Sequence, residues 1–352
     1  MRLHAVIILA AFLAASSQPS AGAGTAPVEP VLSAAASVPA VVSAPVPPRK
    51  LSRRAEAARW HRYLDPPQAY RFEKSVRPAK SWSFDDFDVE ELVQANGPGT
   101  FQRVLKVFPK NFEGRLPAVV VPFYFPEAML GFEPETGEVL PNYAGIKMMS
   151  DLARRGFACI SAEAYHLTYT ECGLDRGNFK RWQIAGDALM ADWPSWTGMG
   201  KLVADTRLLI DLLEEDSRID SSRIGITGHS LGGKMAFYTG CLDKRIKVIM
   251  CSDFGFRGEQ SNWEKVWYWG DRLEELKAAG MDHTGLLSLA GGKPFFLIAG
   301  KYDDDSSYEA MKLSRGYRRH PERLAILNHA SGHRPPPSAL SAGYSFLERY
   351  LK

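Results

Sequence analysis

The stretch that decides the fold is Ile224-Gly225-Ile226-Thr227-Gly228-His229-Ser230-Leu231-Gly232-Gly233-Lys234. Its apolar start predicts a buried strand, and the residues that follow, 234–241, predict a helix. Between them, residues 228–232 match G-x-S-x-G, a weak signal alone but specific in this strand-turn-helix context. A sharp turn there raises the Ser230 hydroxyl above the sheet, and the small glycines let neighbouring backbone pass closely. Ser230 is therefore the predicted nucleophile.

On both sides of this stretch, the chain alternates apolar strands with amphipathic helices. Strands are predicted at 82–93, 101–108, 118–121, 157–161, 248–251, 295–299 and 324–327, and helices at 53–64, 143–155, 199–215, 308–317 and 338–351. This alternation predicts an α/β fold with a mostly parallel central sheet and helices on both faces. The long segment 164–200 predicts a small cap or pocket wall. Ligands bind beyond the carboxyl ends of parallel strands, so functional residues are expected there.

A serine nucleophile needs a base, and the base needs an acid that orients it. In this type of elbow both follow the serine along the chain. Asp303 is the predicted acid because it comes shortly after one predicted strand. Asp253, directly after another strand, is the alternative. His333 is the predicted base, on the loop after the last strand, and is favoured over His329 on the same loop.

The remaining candidates would hold the oxyanion and the substrate. The backbone N–H of Leu231 is one predicted oxyanion donor, and the second is expected from the loop 122–126, where Phe125 is favoured. The side chains predicted to bind substrate are His229, Tyr124, Trp196 and Trp267. Tryptophan rings can stack on sugar rings or hold an apolar acyl group, but packing within the cap is an equally open interpretation.

These residues resemble the α/β-hydrolase superfamily, and more closely the exported bacterial esterases related to acetyl xylan esterases and dienelactone hydrolase-like proteins. Beyond the triad, the resemblance is carried by residues 196–200 leading to Asp205-Thr206-Arg207, by Asp220-Ser221-Ser222-Arg223-Ile224-Gly225, and by the elbow. It implies an α/β-hydrolase fold with a small cap. A second likeness is to glucuronoyl esterases, whose elbow G-C-S-R-x-G-K is partly echoed by Gly233-Lys234, although Leu231 stands where that family has arginine.

The predicted activity is that of a serine carboxylic-ester hydrolase which works through an acyl-enzyme and removes acetyl groups from a saccharide or another small ester. The alternatives are a glucuronoyl-type carbohydrate esterase, a lipid-like ester hydrolase, a peptidase, or a non-catalytic binding protein on the same fold. No metal or organic cofactor is expected, since no spacing resembles a zinc site. A net charge of +3 in 352 residues gives no strong field for nucleic acid.

The N-terminal residues predict export. Arg2, a short apolar run and the small residues around Ala21-Gly22-Ala23 are typical of a signal peptide over 1–23, so the protein is expected to be secreted or periplasmic, with no stable membrane span after cleavage. Residues 24–50 are rich in Ala and Pro and predict a disordered spacer. The hydrolase domain is expected over 51–352. The four cysteines leave disulfide pairing open.

Overall fold

A nine-stranded mixed sheet forms the centre of the computed structural model, which describes residues 51–352. The strands are β1 (Val76–Ser83), β2 (Phe87–Gly97), β3 (Thr100–Pro109), β4 (Leu116–Val120), β5 (Ala158–Ala162), β6 (Ile219–His229), β7 (Ile246–Ser252), β8 (Phe295–Ala299) and β9 (Leu324–Asn328). Their spatial order is β1-β2-β3-β5-β4-β6-β7-β8-β9. The first three strands are antiparallel, and β5, β4, β6, β7, β8 and β9 run parallel. The predicted mostly parallel sheet is confirmed.

The helices cover both faces of this sheet. They are α1 (Arg53–Leu64), α2 (Pro126–Leu130), α3 (Met148–Arg154), α4 (Tyr165–Thr168), α5 (Phe179–Asp192), α6 (Gly198–Glu214), α7 (Leu231–Leu242), α8 (Val266–Trp269), α9 (Arg272–Ala278), α10 (His283–Leu289), α11 (Asp305–Lys312), α12 (Arg315–Arg319) and α13 (Pro337–Leu351). Short 3₁₀ turns occupy Ala144–Ile146 and Pro321–Arg323. In the two long crossovers, helix α5 contacts both α4 and α8, and the three helices form a small cap.

Alternating side chains of the strands feed two hydrophobic cores. On β4, Ala118 and Val120 belong to the core shared with α1, α6 and α7. Val119 and the following Val121 belong to the core shared with α2, α3 and α13. Because neighbouring side chains in a strand point to opposite faces, the continuous apolar run is what burial on both faces requires.

Several element boundaries differ from the sequence prediction. The predicted strand over 82–93 is two strands joined by a turn, which the Phe84 N–H closes by donating to the Phe87 carbonyl at 3.0 Å. The predicted helix over 308–317 is also two: Asp304 caps α11 through a capping box, and Ser314 precedes α12. Polar capping residues determine where these elements end, and the spacing of apolar residues does not show such caps.

The predicted signal peptide (1–23) and spacer (24–50) lie outside the described residues. The described residues belong to one compact unit. No helix between residues 51 and 352 is long and apolar enough to cross a bilayer. The four cysteines, all within the described range, are free thiols, and Cys172 is the one that is not buried.

Candidate active site

Ser230 sits in a strained turn between β6 and α7. Its φ of 55° and ψ of −116° lie in a region of backbone conformation that residues other than glycine rarely adopt. The Ser230 N–H donates to the Ser252 carbonyl on β7 at 2.8 Å, which holds the turn to the sheet. A residue kept in such a conformation by its surroundings is typical of a functional position.

The glycines of the motif are required by close backbone contacts. A Cβ at Gly228 would lie 2.2 Å from the Gly232 carbonyl oxygen. A Cβ at Gly232 would lie 2.1 Å from the carbonyl oxygen of Pro122, in the loop after β4. The first turn of α7 and the loop after β4 therefore come too close together for any side chain at Gly232.

His333 is held by a carboxylate at the end of β7. Its Nδ1 lies 2.6 Å from Oδ2 of Asp253, whose side chain is fully buried. The other Asp253 oxygen accepts the N–H groups of Tyr302 and Asp303, at 2.8 and 2.9 Å. Burial acts to raise the pKa of Asp253, but these hydrogen bonds outweigh it and hold that pKa below its ordinary value. Asp253 is thus a charged partner for the imidazole.

Asp303, the predicted acid, does not contact His333. Its carboxylate accepts the N–H groups of Phe254, Gly255 and Phe256 at 2.7–2.9 Å. The side chain points under the loop that follows Asp253, and burial raises its pKa to about 6. The contact with the histidine that is predicted for Asp303 is made instead by Asp253, the alternative. Both carboxylates follow neighbouring strands, and sequence alone does not show which one the histidine loop reaches.

The side chain of His229 lies between His333 and Ser252 of β7. Its ring lies 4.5 Å from the ring of His333, and its Nδ1 lies 3.1 Å from the Ser252 hydroxyl. Burial lowers its pKa to about 3, so the ring is neutral and packs against the site rather than facing solvent. Within residues 51–352 the Ser230 hydroxyl makes no hydrogen bond. His333 is part-exposed, and pairing of its Nδ1 with Asp253 leaves Nε2 open for proton transfer.

Two sets of unpaired N–H groups meet near Ser230. Leu231 begins α7, where the first helical N–H groups have no acceptor within the helix. In the loop after β4, the N–H groups of Phe123, Tyr124 and Phe125 donate no hydrogen bond to any described residue. The Gly232–Pro122 contact brings this loop to the start of α7. The Phe125 side chain itself is buried, and the Arg176 guanidinium lies 3.9 Å from its ring centre.

The two tryptophans predicted to bind substrate are packing residues. Trp196 is 1% exposed, and its indole N–H donates to the Leu64 carbonyl at 3.1 Å, which fixes the end of α1. Trp267 is 7% exposed, with its ring against Phe179. In the structure Trp196 packs in the core, which favours the second interpretation. Tyr124 is partly exposed, and burial raises its pKa to about 12.

Lys234 lies close to Ser230, and the sequence points to it only weakly, as part of the second motif likeness. It lies one helical turn beyond Ser230 on α7 and is 2% exposed. Its ammonium donates to Oδ1 of Asn262 at 2.6 Å and lies 4.2 Å from the ring centre of Trp263. Burial lowers its pKa to about 7. A spacing of four residues on one helix face is the signal that could have identified it.

Comparison with known proteins finds relatives of this chain in sequence and in structure. Residues 134–280, less than half of the chain, match the sequence model of a family described as "Glucuronyl esterase, fungi". The "Putative hydrolase YtaP" of Bacillus subtilis (strain 168) is 28% identical over 152 residues, which are 42% of this chain and 46% of that protein. The chain thus spans less than half the length of this curated relative.

Two solved structures resemble most of the described fold. A CE15 glucuronoyl esterase from Teredinibacter turnerae has a TM-score of 0.63 at 16% identity, over 84% of this chain and 83% of that chain. A protein described as a "putative acetyl xylan esterase" from Bacteroides fragilis has a TM-score of 0.64 at 13% identity, over 79% and 74%. With the sheet order and the elbow, these likenesses confirm the resemblance: the chain has the α/β-hydrolase fold.

Proposed function

We propose that the protein is a serine carboxylic-ester hydrolase that acts on saccharide esters. The observation that carries the proposal is the 2.6 Å contact between His333 and the buried Asp253, beside the strained turn of Ser230. A nucleophile after β6, an orienting acid after β7 and a base after β9, all at the carboxyl ends of parallel strands, are the elements of acyl transfer. The esterases among the related proteins support the same reaction class.

In the proposed reaction the Ser230 oxygen attacks the ester carbonyl while His333 Nε2 takes the hydroxyl proton. Asp253 holds the imidazole in place and stabilises the imidazolium. Collapse of the tetrahedral intermediate breaks the bond to the alcohol, which leaves with the proton from His333. Water then gives a proton to His333 and attacks the acyl group, which releases the acid and restores the Ser230 hydroxyl.

The oxyanion would be held by Leu231 and by one N–H of the loop after β4, for which Phe125 remains the proposed donor. Both sets of donors are unpaired among the described residues, so they can meet a developing negative charge without breaking other bonds. The N-terminus of α7 adds a favourable dipole at the same point.

The substrate class is proposed from the polar groups beside Ser230. The ammonium of Lys234, which lies one helical turn beyond Ser230 and donates to Asn262, is a hydrogen-bond donor suited to a hydroxyl-rich substrate. An acetylated saccharide remains the first proposal. A glucuronoyl ester is the second, because the matched segment 134–280 contains both Ser230 and Asp253 and is described as a glucuronyl esterase.

The test compares p-nitrophenyl esters from acetyl to octanoyl, acetylated xylan and a benzyl ester of glucuronic acid, with Ser230→Ala as the control. Turnover of the acetyl substrates that is lost in the variant supports the proposal. A preference for the glucuronate ester selects the second candidate, and a preference for long acyl chains selects a lipid-like ester. Absence of turnover on every ester, or equal turnover by the variant, contradicts the proposed reaction.

We also propose that residues 1–23 direct export and are removed. The support is the charged start, the short apolar run and the small residues before Gly24. Expression of the whole chain in a bacterium, followed by fractionation and N-terminal sequencing, tests this proposal. A cytoplasmic product that keeps Met1 contradicts it.

A further inference from the structure

A groove lined by arginines lies away from the catalytic residues. It has a volume of about 600 Å³, and its ionisable lining residues are Arg53, Glu56, Arg315, Arg318, Arg319 and His320. This size falls within the roughly 300–1,000 Å³ of ordinary ligand sites. The groove contains no residue of the proposed reaction, so that reaction does not explain why its lining is basic.

Four guanidinium groups of this groove have no carboxylate partner within residues 51–352. Arg53 donates to the Leu289 carbonyl at 2.7 Å, and Arg315 donates to the carbonyl of Leu51. Arg318 and Arg319 are exposed, and their guanidinium groups make no hydrogen bond to any described residue. The backbone holds the first two guanidinium groups in the groove, and the positive charge of all four stays uncompensated by a carboxylate.

Two carboxylates in or near the groove already have partners. Glu56 accepts from the Trp60 indole at 3.0 Å and pairs with Arg59 at 3.5 Å. Glu322 pairs with His320 at 3.4 Å and with Arg323 at 3.8 Å. The groove therefore presents a net positive surface to a ligand.

Gly291, on one wall of the groove, leaves room for the guanidinium of Arg53. Gly291 has a φ of +69°, and a Cβ there would lie 3.3 Å from a guanidinium nitrogen of Arg53. A side chain at this position would be strained and would crowd that guanidinium. The glycine thus keeps Arg53 in contact with the groove.

The groove lies at the opposite end of the sheet from the catalytic residues. Its residues 291 and 320 come just before β8 and β9, whereas His333 and Asp303, the neighbour of Asp253, come just after these parallel strands. A five-residue strand spans about 16 Å. A ligand in the groove can therefore leave the catalytic site open.

We propose that this groove binds a strand of carboxylated polysaccharide. Guanidinium groups form paired hydrogen bonds with carboxylates, and several such groups in one groove match the repeated carboxylates of a uronate chain. A concave site accepts a chain more readily than it accepts a flat membrane surface. The groove would hold the enzyme on an acidic polymer, in addition to the proposed ester hydrolysis and independently of it.

The experiment measures binding of oligogalacturonate to the whole chain by calorimetry, with neutral dextran and phosphatidylglycerol vesicles as further probes. The groove variant is Arg318→Glu/Arg319→Glu. The matched control is Arg77→Glu/Arg349→Glu, which changes the net charge equally at exposed arginines that are likewise without a side-chain partner among the described residues. Turnover of p-nitrophenyl acetate is followed in all three proteins.

The wild type should bind oligogalacturonate and not dextran, with affinity falling as salt rises from about 20 to about 200 mM. The groove variant should bind at least about tenfold more weakly, while the control stays within about twofold, because only the first pair of charges lies in the groove. Ester turnover, whatever its level, should be equal in the three proteins. Equal losses in both variants, no binding by the wild type, or groove-dependent binding to vesicles alone would overturn the proposal.

Discussion

Two buried carboxylates meet at the ends of β7 and β8, and they do different things. Asp253 contacts His333. The Asp303 carboxylate accepts three backbone N–H groups of the loop that follows Asp253, and its own N–H donates to Asp253. Asp253 itself has a φ of 43°, an unusual conformation for a residue with a side chain. Asp303 therefore holds the strained position from which Asp253 reaches the histidine.

Replacing each carboxylate by its amide separates these roles. Asp253→Asn should lower kcat by roughly a thousandfold or more, because the imidazole loses the partner that orients it. Asp303→Asn should cost about 1–3 kcal/mol of stability, because its new NH₂ faces backbone donors, with a smaller loss of kcat. Steady-state kinetics and urea unfolding measure both effects. The exposed Asp305→Asn serves as control, and a larger kcat loss in Asp303→Asn than in Asp253→Asn would restore Asp303 as the acid.

The buried Lys234 predicts a pH dependence of stability. Because its folded pKa of about 7 lies below the ordinary 10.5, the unfolded chain binds more protons than the folded chain between these values. The free energy of unfolding should therefore rise with pH in this window relative to Lys234→Met, which does not titrate there. Urea unfolding of both proteins at about pH 7 and about pH 9 measures the difference. Parallel pH dependences would contradict the assignment.

At the scale of elements, the loop after β4 is clamped by the segment between β5 and α6. Arg176 from that segment lies over Phe125, and its Nη1 is 3.4 Å from the buried Glu127 on α2. Glu127 also pairs with Arg103 on β3. Three separate parts of the chain thus fix the loop that would supply the second oxyanion donor.

Removing the clamp should affect the transition state more than substrate binding. Arg176→Ala should lower kcat about tenfold, with KM within about twofold, since a displaced donor costs stabilisation of the oxyanion. Lys180→Ala, at an exposed lysine on the same segment, is the matched control. Initial rates over a range of ester concentrations separate the two constants. A raised KM with normal kcat would instead mean that Arg176 contacts the substrate.

The elements differ in how far the sequence predicts them. The β6–α7 elbow and the buried parallel strands follow from apolar runs and glycine positions, because burial on both faces and close backbone contacts leave few alternatives. The clamp at Glu127 is different, since its partners lie 24 and 49 residues away along the chain. Only the folded chain brings Arg103 and Arg176 to one carboxylate.

At the scale of the whole molecule, α1 is built into the core rather than appended to it. The Trp196 indole bonds to its last carbonyl at Leu64, and Thr197 donates to the Tyr63 carbonyl at 2.8 Å. The sequence reveals the aromatic residues but not which of them face a ligand, because burial depends on how distant elements meet. For this reason the sequence predicts a substrate contact at Trp196, where the structure has a core residue.

Trp196→Phe should therefore lower stability by about 1 kcal/mol through loss of one buried hydrogen bond, and should leave KM for saccharide esters within about twofold. Urea unfolding and steady-state kinetics measure the two quantities. A raised KM at unchanged stability would return Trp196 to the substrate pocket.

The central claim is that Ser230 forms an acyl-enzyme with help from His333 and Asp253. The most direct measurement is intact-mass and peptide analysis after treatment with a fluorophosphonate, which reacts with activated serines. One label on Ser230 is expected in the wild type, formed at least about a hundredfold more slowly in Asp253→Asn and absent in Ser230→Ala. No label, or a label that persists at another residue in Ser230→Ala, would contradict the account.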